Sequence, residues 1–511
     1  MLMMGEPLGG KELVEATFKP DDVPDERLYR RMRTMGDGML RSILAEGDER
    51  PEKTKRAEER GAARFIANDR VDADVLAARA GQRSVEAILK LPEIVVAHDT
   101  SEFDEHGRNE PPDAGPLRSS EARGYMVHAG TLLDPTCEAR TGVLYVRAWT
   151  RPYPQGKPRP EGHQGVERVW KNEDDKWFWG VQRAELTLQR HGYKGRVIHA
   201  ADDEGSSYNT LAKNKRAHRC YIARTEKDRC IREGGKLFDY MRALPKSTSW
   251  ELEVEEPSDS HARGVSRPRR TARVELRYAP VTLLPTNRYH GRRYRRGLEV
   301  WAVYVSEPGA PEGVEPLEWM LLTVMPVETA KAARNVVSYY TCRWGAEDIY
   351  KIVKSGCHAE LATVPDLDGF QRLMAFAWPI AAHIARWTYA ARVTRHELAL
   401  PHVGQEVLDV LKEACRYHRL ELPHHPWTIH DLVDRLARMG GYEPRKDREP
   451  GWKVIWRGWR VFSNFWDHLR YFWDRPRHAE HRLGVPPQQR RGDRRQGEQA
   501  TLGSPMAVNP R

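Results

Sequence analysis

What the chain lacks narrows the field first. Its six cysteines (Cys137, Cys220, Cys230, Cys342, Cys357 and Cys415) include no Cys-x-x-Cys pair and no zinc-finger spacing. That argues against a disulfide scaffold or a structural zinc fold and for reduced thiols in a cytosolic protein. Long apolar runs are missing too. The most apolar stretch, Leu373 to Ala391, is interrupted by Pro379, His383 and Arg386, so it reads as a buried helix and no membrane partner is expected. No secretory leader is expected at the start. His424, His425 and His430 lie close together in a stretch that reads as a loop, not a metal site. Acids are nearly absent from one segment: residues 262–296 hold eleven arginines, no lysine and a single carboxylate, Glu275.

What is present points to a polyanion. Over 511 residues, 83 Lys and Arg outweigh 73 Asp and Glu, giving a net charge of +10 and a pI near 9.2. The length allows two to four domains with a sizeable core. The first seventy residues are polar and helix-prone. Arg27, Arg30, Arg31 and Arg33 fall within two turns, followed by an apolar pattern at Met35, Met39, Leu40, Ile43 and Leu44. On these residues alone, a DNA-reading helix and a solvated basic face are both open.

The pattern then changes to strands. Ile94-Val-Val-Ala-His-Asp99 reads as a short buried strand ending in a carboxylate, and Gly124 to Leu133 and Gly142 to Trp149 as two more. An aromatic-rich helix follows over Trp170 to His191. A strand from Arg196 ends in Asp202-Asp203-Glu204, and a helix (Tyr208 to Lys215) and a strand (Cys220 to Arg224) complete the series. Acids at strand ends in an α/β sheet mark a site, though any one alone is more often a cap or a turn residue. Residues 228–318 form an insertion with strand character at Val274 to Leu284 and Gly297 to Ser306. Beyond Glu360 the chain is helical, and Trp459, Phe462, Trp466, Leu469 and Trp473 recur at heptad-like spacing. That seam suits either burial within one chain or a contact between two.

One stretch carries most of the chemistry. From Tyr339 to His358 the chain has helix composition. At about 100° per residue, Tyr340, Arg343, Glu347, Lys351 and Lys354 share one face, with Ile349, Ile352 and Val353 opposite. A solvated face of Glu–Lys pairs is one reading. The other is a phosphodiester site, where the acid holds a metal and the cations hold phosphate oxygens.

The pattern Tyr340-x2-Arg343-x3-Glu347-x6-Lys354 resembles the Tyr-Arg-Glu-Lys signature of the bacterial insertion-sequence-four family of DDE transposases. Trp319 stands 21 residues before Tyr340, as the family's tryptophan does, and Asp202, Glu204 and Tyr208 match the family's Asp-Arg-Glu-Ala-Asp-Ile-Tyr run. The family's arginine there is replaced by Asp203, which competes with Asp202, and its second aspartate by Ser206. The resemblance runs from about Val23 to Arg475, strongest at Tyr340 to Glu360.

It implies an α/β, ribonuclease-H-like catalytic core (73–365) carrying the inserted β region (228–318). Flanking it would be a helical DNA-end-binding domain (1–72), a helical dimerisation domain (366–475) and a disordered tail (476–511). It implies Asp99, Asp202 and Glu347 as a catalytic triad holding two Mg²⁺ ions, with Mn²⁺ as a substitute. Tyr340, Arg343, Lys351 and Lys354 would hold phosphates, and Trp319 a flipped base. Arg27, Arg30, Arg31, Arg292 and Arg293 would add DNA contacts. The expected activity is cut-and-paste transposition by a cytoplasmic, nucleoid-associated homodimer, through nicking at transposon ends, hairpin formation and opening, and strand transfer. A metal-dependent nuclease of the same fold and a silent DNA-binding derivative are the alternatives.

Overall fold

The computed structural model describes residues 10–42, 52–105, 110–118, 122–135, 142–153, 169–254, 270–285, 297–357, 359–444 and 449–473. It divides into two units, Met1–Ser463 and Asn464–Arg511.

The first unit is mixed α/β, built on a ten-stranded sheet. Four helices come first: α1 (Gly10–Thr17), α2 (Glu26–Ser42), α3 (Glu52–Ile66) and α4 (Ala73–Glu86). The last is started by Asp72, whose side chain accepts from Asp74 N and Val75 N, the usual remedy for orphan donors at a helix start. β1 (Glu93–Asp104) begins with Ile94, Val95, Val96 and Ala97, all fully buried. A run apolar on both faces belongs in the middle of a covered sheet, and β1 lies there. It pairs antiparallel with β3 (Arg123–Leu133), which in turn pairs with β4 (Gly142–Trp149) and with the short β2 (Gly115–Pro116). On its other side β1 runs parallel to β5 (Arg196–Ala201), which follows α5 (Asp175–Arg190) and pairs parallel with β6 (Cys220–Arg224), reached through α6 (Tyr208–Arg216).

β1 is longer than its composition indicates. It pairs with β3 as far as Asp104↔Gly124, whereas its pairing with β5 stops at His98↔Ala201. Asp99 is therefore not the end of the strand. It stands where the parallel pairing ends and the chain is held from one side alone.

The inserted region forms no body of its own. After α7 (Leu237–Ala243) come β7 (Thr248–Val254), β8 (Arg270–Leu283) and β9 (Leu298–Ser306), and β10 (Glu318–Thr323) joins them antiparallel to β6, giving the order β3-β1-β5-β6-β10-β9-β8-β7. Of the arginine-rich arc, Arg270 is paired with Glu307 at 2.6 Å, and Arg277 bonds Leu244 O and Glu275. Arg292 and Arg293 lie outside the described residues.

Alternation along β1 splits the core. Val95 and Ala97, with Ile198 and Ala200 of β5, pack on α8 (Ala330–Thr341) and α9 (Trp344–Lys351). Ile94 and Val96 face α4 and α5 through Val85, Ala184 and Leu188. α10 (Leu367–Val393) ties the helical parts to the sheet. Its Gln371 accepts from Ala148 N and donates to Val146 O, while Arg372 bonds the carbonyls of Ile66 and Val71. α11 (Leu400–Tyr417), α12 (Ile429–Met439) and α13 (Trp452–Trp473) follow. Trp459 and Phe462 are buried within the first unit, Trp459 lying 5.9 Å from the Trp387 ring. The first part of the aromatic seam is thus core. No helix among the described residues is long and apolar enough to cross a membrane.

Candidate active site

The Tyr339–His358 stretch is helical but interrupted twice. α8 ends at Thr341, and a tight turn at Cys342-Arg343, closed by Arg343 N to Tyr340 O and Ala346 N to Arg343 O, precedes α9. After Lys351 the helix widens into a π turn over Ile352–Gly356, sealed by Cys357 N to Ile352 O. Such turns are frequent at functional sites. The apolar back is as expected, with Ile349, Ile352 and Val353 fully buried. The polar face is not uniformly exposed. Tyr340 and Arg343 are buried, at 1% and 7% exposure, while Glu347 and Lys351 reach solvent.

Arg343 is touched by two carboxylates, and a third, Asp202, acts on it through space. Its Nη2 lies 2.8 Å from Glu347 Oε1, one turn along α9, and its Nη1 lies 3.5 Å from Asp99 Oδ2 on β1. The guanidinium carbon sits 5.7 Å from the centre of the Tyr340 ring. Asp202 follows the last residue of β5 and caps the turn after it, accepting from Glu204 N at 3.0 Å. Tyr350 of α9 donates to Asp99 O at 2.6 Å, pinning the helix to the strand that carries the first acid.

The electrostatics show that these groups feel one another. Burial pushes the Asp99 carboxyl up to about 7. Arg343 opposes the shift, while Asp202 and Glu347 add to it. Asp202 is raised by burial, against Arg343 and the Gly205 N–H. Burial draws Arg343 down, but Tyr340, Asp99, Glu347 and Asp202 together hold it above its ordinary value. Mutual repulsion between buried carboxylates is what a bound cation relieves.

The neighbour of Asp202 is oriented elsewhere. Asp203 accepts from Glu226 N at 2.8 Å and lies 3.4 Å from Lys227 Nζ, and Asp202 is the member of the pair that feels Arg343. The other expected phosphate contacts stand outside the acid cluster. Lys354 donates to Glu102 O and pairs with Glu360 at 3.4 Å, and Lys351 is 3.8 Å from Asp348. Trp319, on β10, is 6% exposed and meets Tyr340 and Trp344 edge-on at 6.2 and 5.6 Å. Its position here is that of a packing residue, with no open face for a base.

Arg27, Arg30 and Arg31 line a groove of about 560 Å³ between α2 and α3, whose far wall contributes Arg60 and Arg64 together with Glu58. Arg60 and Arg64 of α3 had no distinguishing signal in the sequence. Neither had Lys176, on the first turn of α5. It is buried, 3.2 Å from Glu204 and 5.4 Å from the centre of the Trp177 ring. Since Glu204 N holds Asp202, Lys176 braces the turn that carries this acid.

Three oxygen-donating acids, two of them raised by burial, have the donor chemistry of a site for a hard divalent cation. Among the described residues, no three acid, histidine or cysteine side chains are grouped so that they could hold a metal ion as they stand. In this structure Arg343 touches Asp99 and Glu347, and both Arg343 and Lys176 act on Asp202.

No family model matches the chain. Among solved structures, it is similar to a piggyBac transposase in a synaptic complex with hairpin DNA, determined by cryo-electron microscopy. Identity is 9%, over 95% of this chain and 87% of that one, with a TM-score of 0.36. At that score the likeness defines neither fold nor activity.

Proposed function

We propose that this chain is a DDE-type DNA transposase that cuts and joins phosphodiesters at one acid cluster. The observation that carries the reading is that Asp99 and Glu347 both touch one buried guanidinium whose charge Asp202 also feels, the three acids coming from separated parts of the sequence. The strand order β4-β3-β1-β5-β6, antiparallel then parallel, supports a ribonuclease-H-like core, with acids at the first and fourth strands in chain order, taking β1, β3, β4, β5 and β6 as the five.

On this reading Asp99, Asp202 and Glu347 would hold Mg²⁺ or Mn²⁺, which when bound supplies activation of an attacking oxygen and charge stabilisation on the leaving one. Arg343 and the more exposed Lys351 and Lys354 supply positive charge beside the scissile phosphate. Tyr350 and Lys176 keep the first two acids in place. Nicking, hairpin formation and opening, and strand transfer are all in-line attacks at phosphorus, so one cluster serves each of them. The groove of Arg27, Arg30, Arg31, Arg60 and Arg64 would track the DNA backbone, and pairing two ends would take two copies of the chain.

The test is incubation of the purified chain with Mg²⁺ and DNA carrying the inverted repeats that flank its gene. Nicks, hairpins and joined products together support a transposase. Nicks without joining indicate a nuclease. Binding without cleavage sinks the catalytic reading. Neutralising Arg30, Arg31, Arg60 and Arg64 should flatten the plot of log affinity against log salt by about 0.9 per lost phosphate contact. An unchanged slope would make the groove a solvated face.

A further inference from the structure

We propose that Arg343 is an internal counter-ion that competes with a divalent cation for Asp99 and Glu347, so that loading the site requires the guanidinium to leave them. The inference rests on the reading of these acids as cation ligands, and it assigns Arg343 a role distinct from that of the neighbouring lysines.

The geometry separates Arg343 from the other cations of its helix. Lys351 and Lys354 are engaged with Asp348, Glu360 and the Glu102 carbonyl, none of them in the acid cluster. Arg343 alone reaches two members of the cluster, one through each terminal nitrogen. It does so from an almost fully buried position, against the ring of Tyr340, with Nε lacking any hydrogen-bond partner. Its side chain is therefore held by the acids and the ring, not by a complete set of hydrogen bonds.

A guanidinium in this position uses the carboxylate lone pairs that a hard cation would take. The two cannot share the site without cost, because a dication and a guanidinium a few ångströms apart repel strongly where water is scarce. Without a cation, Arg343 compensates buried negative charge that would otherwise be unpaired. With one, the guanidinium is freed for an anion. Linkage makes the exchange reciprocal: a phosphate that draws Arg343 off the acids raises their affinity for the cation, and the cation raises affinity for the phosphate. The site would then load fully when DNA and metal are present together.

The experiment is titration of the full-length chain with Mn²⁺ alone, following free Mn²⁺ by electron paramagnetic resonance and folding by thermal melting. Arg343→Gln should bind Mn²⁺ about tenfold more tightly than wild type, within the usual range of coupling between sites. Arg343→Lys, which keeps the charge, should stay near wild type, and Asp99→Asn and Glu347→Gln should lose binding. Equal or weaker binding by Arg343→Gln, with wild-type binding still dependent on the acids, overturns the proposal and leaves the metal reading standing. No acid-dependent binding in any variant overturns both. A Mn²⁺-soaked crystal of the wild type decides the question should Arg343→Gln fail to fold. Arg343 displaced from the acids supports the exchange, and Arg343 still touching both refutes it.

Discussion

Two consecutive residues of β1, His98 and Asp99, open onto opposite faces of the sheet and meet opposite solutions to the same difficulty. On the Asp99 face, negative charges are gathered under a single guanidinium, and the balance is incomplete. On the His98 face, three histidines at 0% exposure lie among aromatic rings, and burial holds all three below the ordinary imidazole range. Three of their contacts form a chain: Tyr145 hydroxyl to His98 Nδ1 at 2.7 Å, His98 Nε2 to His199 Nδ1 at 2.9 Å, and His199 Nε2 to Glu185 at 3.1 Å. Glu185, paired with Arg219 at 2.8 Å, can only accept. His199 must therefore donate from Nε2 and accept at Nδ1, His98 must do the same, and the Tyr145 hydroxyl must donate. Every proton is placed with no net charge on either ring. α5 seals this face at Gly180, where an added Cβ would lie 2.2 Å from the Tyr145 hydroxyl and 2.7 Å from His128 Nε2. The Tyr145–His98–His199–Glu185 chain satisfies itself and is structure, although His128 Nε2 beside it has no hydrogen-bond partner, whereas the acid cluster is left with unbalanced charge and is poised to take a ligand.

The sharpest way to break this contrast is to remove each face in turn. Asp99→Ala, Asp202→Ala and Glu347→Ala should each reduce nicking by more than the roughly 10–100-fold carried by outer-shell partners of a metal site, while end binding in gel shifts persists. Normal nicking by Asp202→Ala, with loss in Asp203→Ala, would reverse the assignment of that pair. His199→Ala should do the converse, lowering stability by about 3 kcal/mol in denaturant titration through a cavity and an orphaned His98 donor. Cleavage by the folded fraction should remain. Gly180→Ala should cost about 1–3 kcal/mol by overpacking, and no change would mean that α5 is free to shift.

A second contrast is in pH. Asp99 has its folded pKa raised to about 7, so its contribution to stability is complete below the unfolded value of about 3.9 and is lost as pH rises towards 7. The histidines are depressed when folded. Their contribution is complete above about 6.5 and is lost as pH falls below it. Without divalent cations, Asp99→Asn should remove a negative slope of at most about 1.4 kcal/mol per pH unit between pH 4 and 7, read from thermal melts. An identical pH profile in the variant would show that Arg343 already balances Asp99.

The smallest effect separates a satisfied network from an active one. Tyr145→Phe deletes one hydroxyl and should cost about 1 kcal/mol without changing the cleavage rate. A large loss of cleavage would bring the histidine face into the catalytic machinery.

Much of the element order was legible in the chain. The β-branched run at Ile94 to Val96 reads as a covered strand, and the spacing of Tyr340, Arg343, Glu347, Lys351 and Lys354 places them on one helical face, because periodicity is a local property. Local patterns also exposed the arginine arc and the aromatic seam of α13. They did not say that β7, β8 and β9 would extend the main sheet, since strand pairing across many residues leaves no mark on composition. Asp202 is set apart from Asp203 only by its register in the family's run, not by any local pattern. The physical distinction belongs to the turn after β5, which leaves one carboxylate under the charge of Arg343 and directs the other towards Glu226 and Lys227. Periodicity puts the polar residues of the key helix on one face without grading their burial, and a turn at Cys342-Arg343 buries the arginine and leaves the lysines outside. The histidine chain was invisible, because His98, Tyr145, His199 and Glu185 have no common spacing. The sequence alone determined which residue types were available and which local shapes they favour. Which charges would share one low-dielectric space, and so which acids would lean on Arg343, was decided only when strands distant in the chain came side by side.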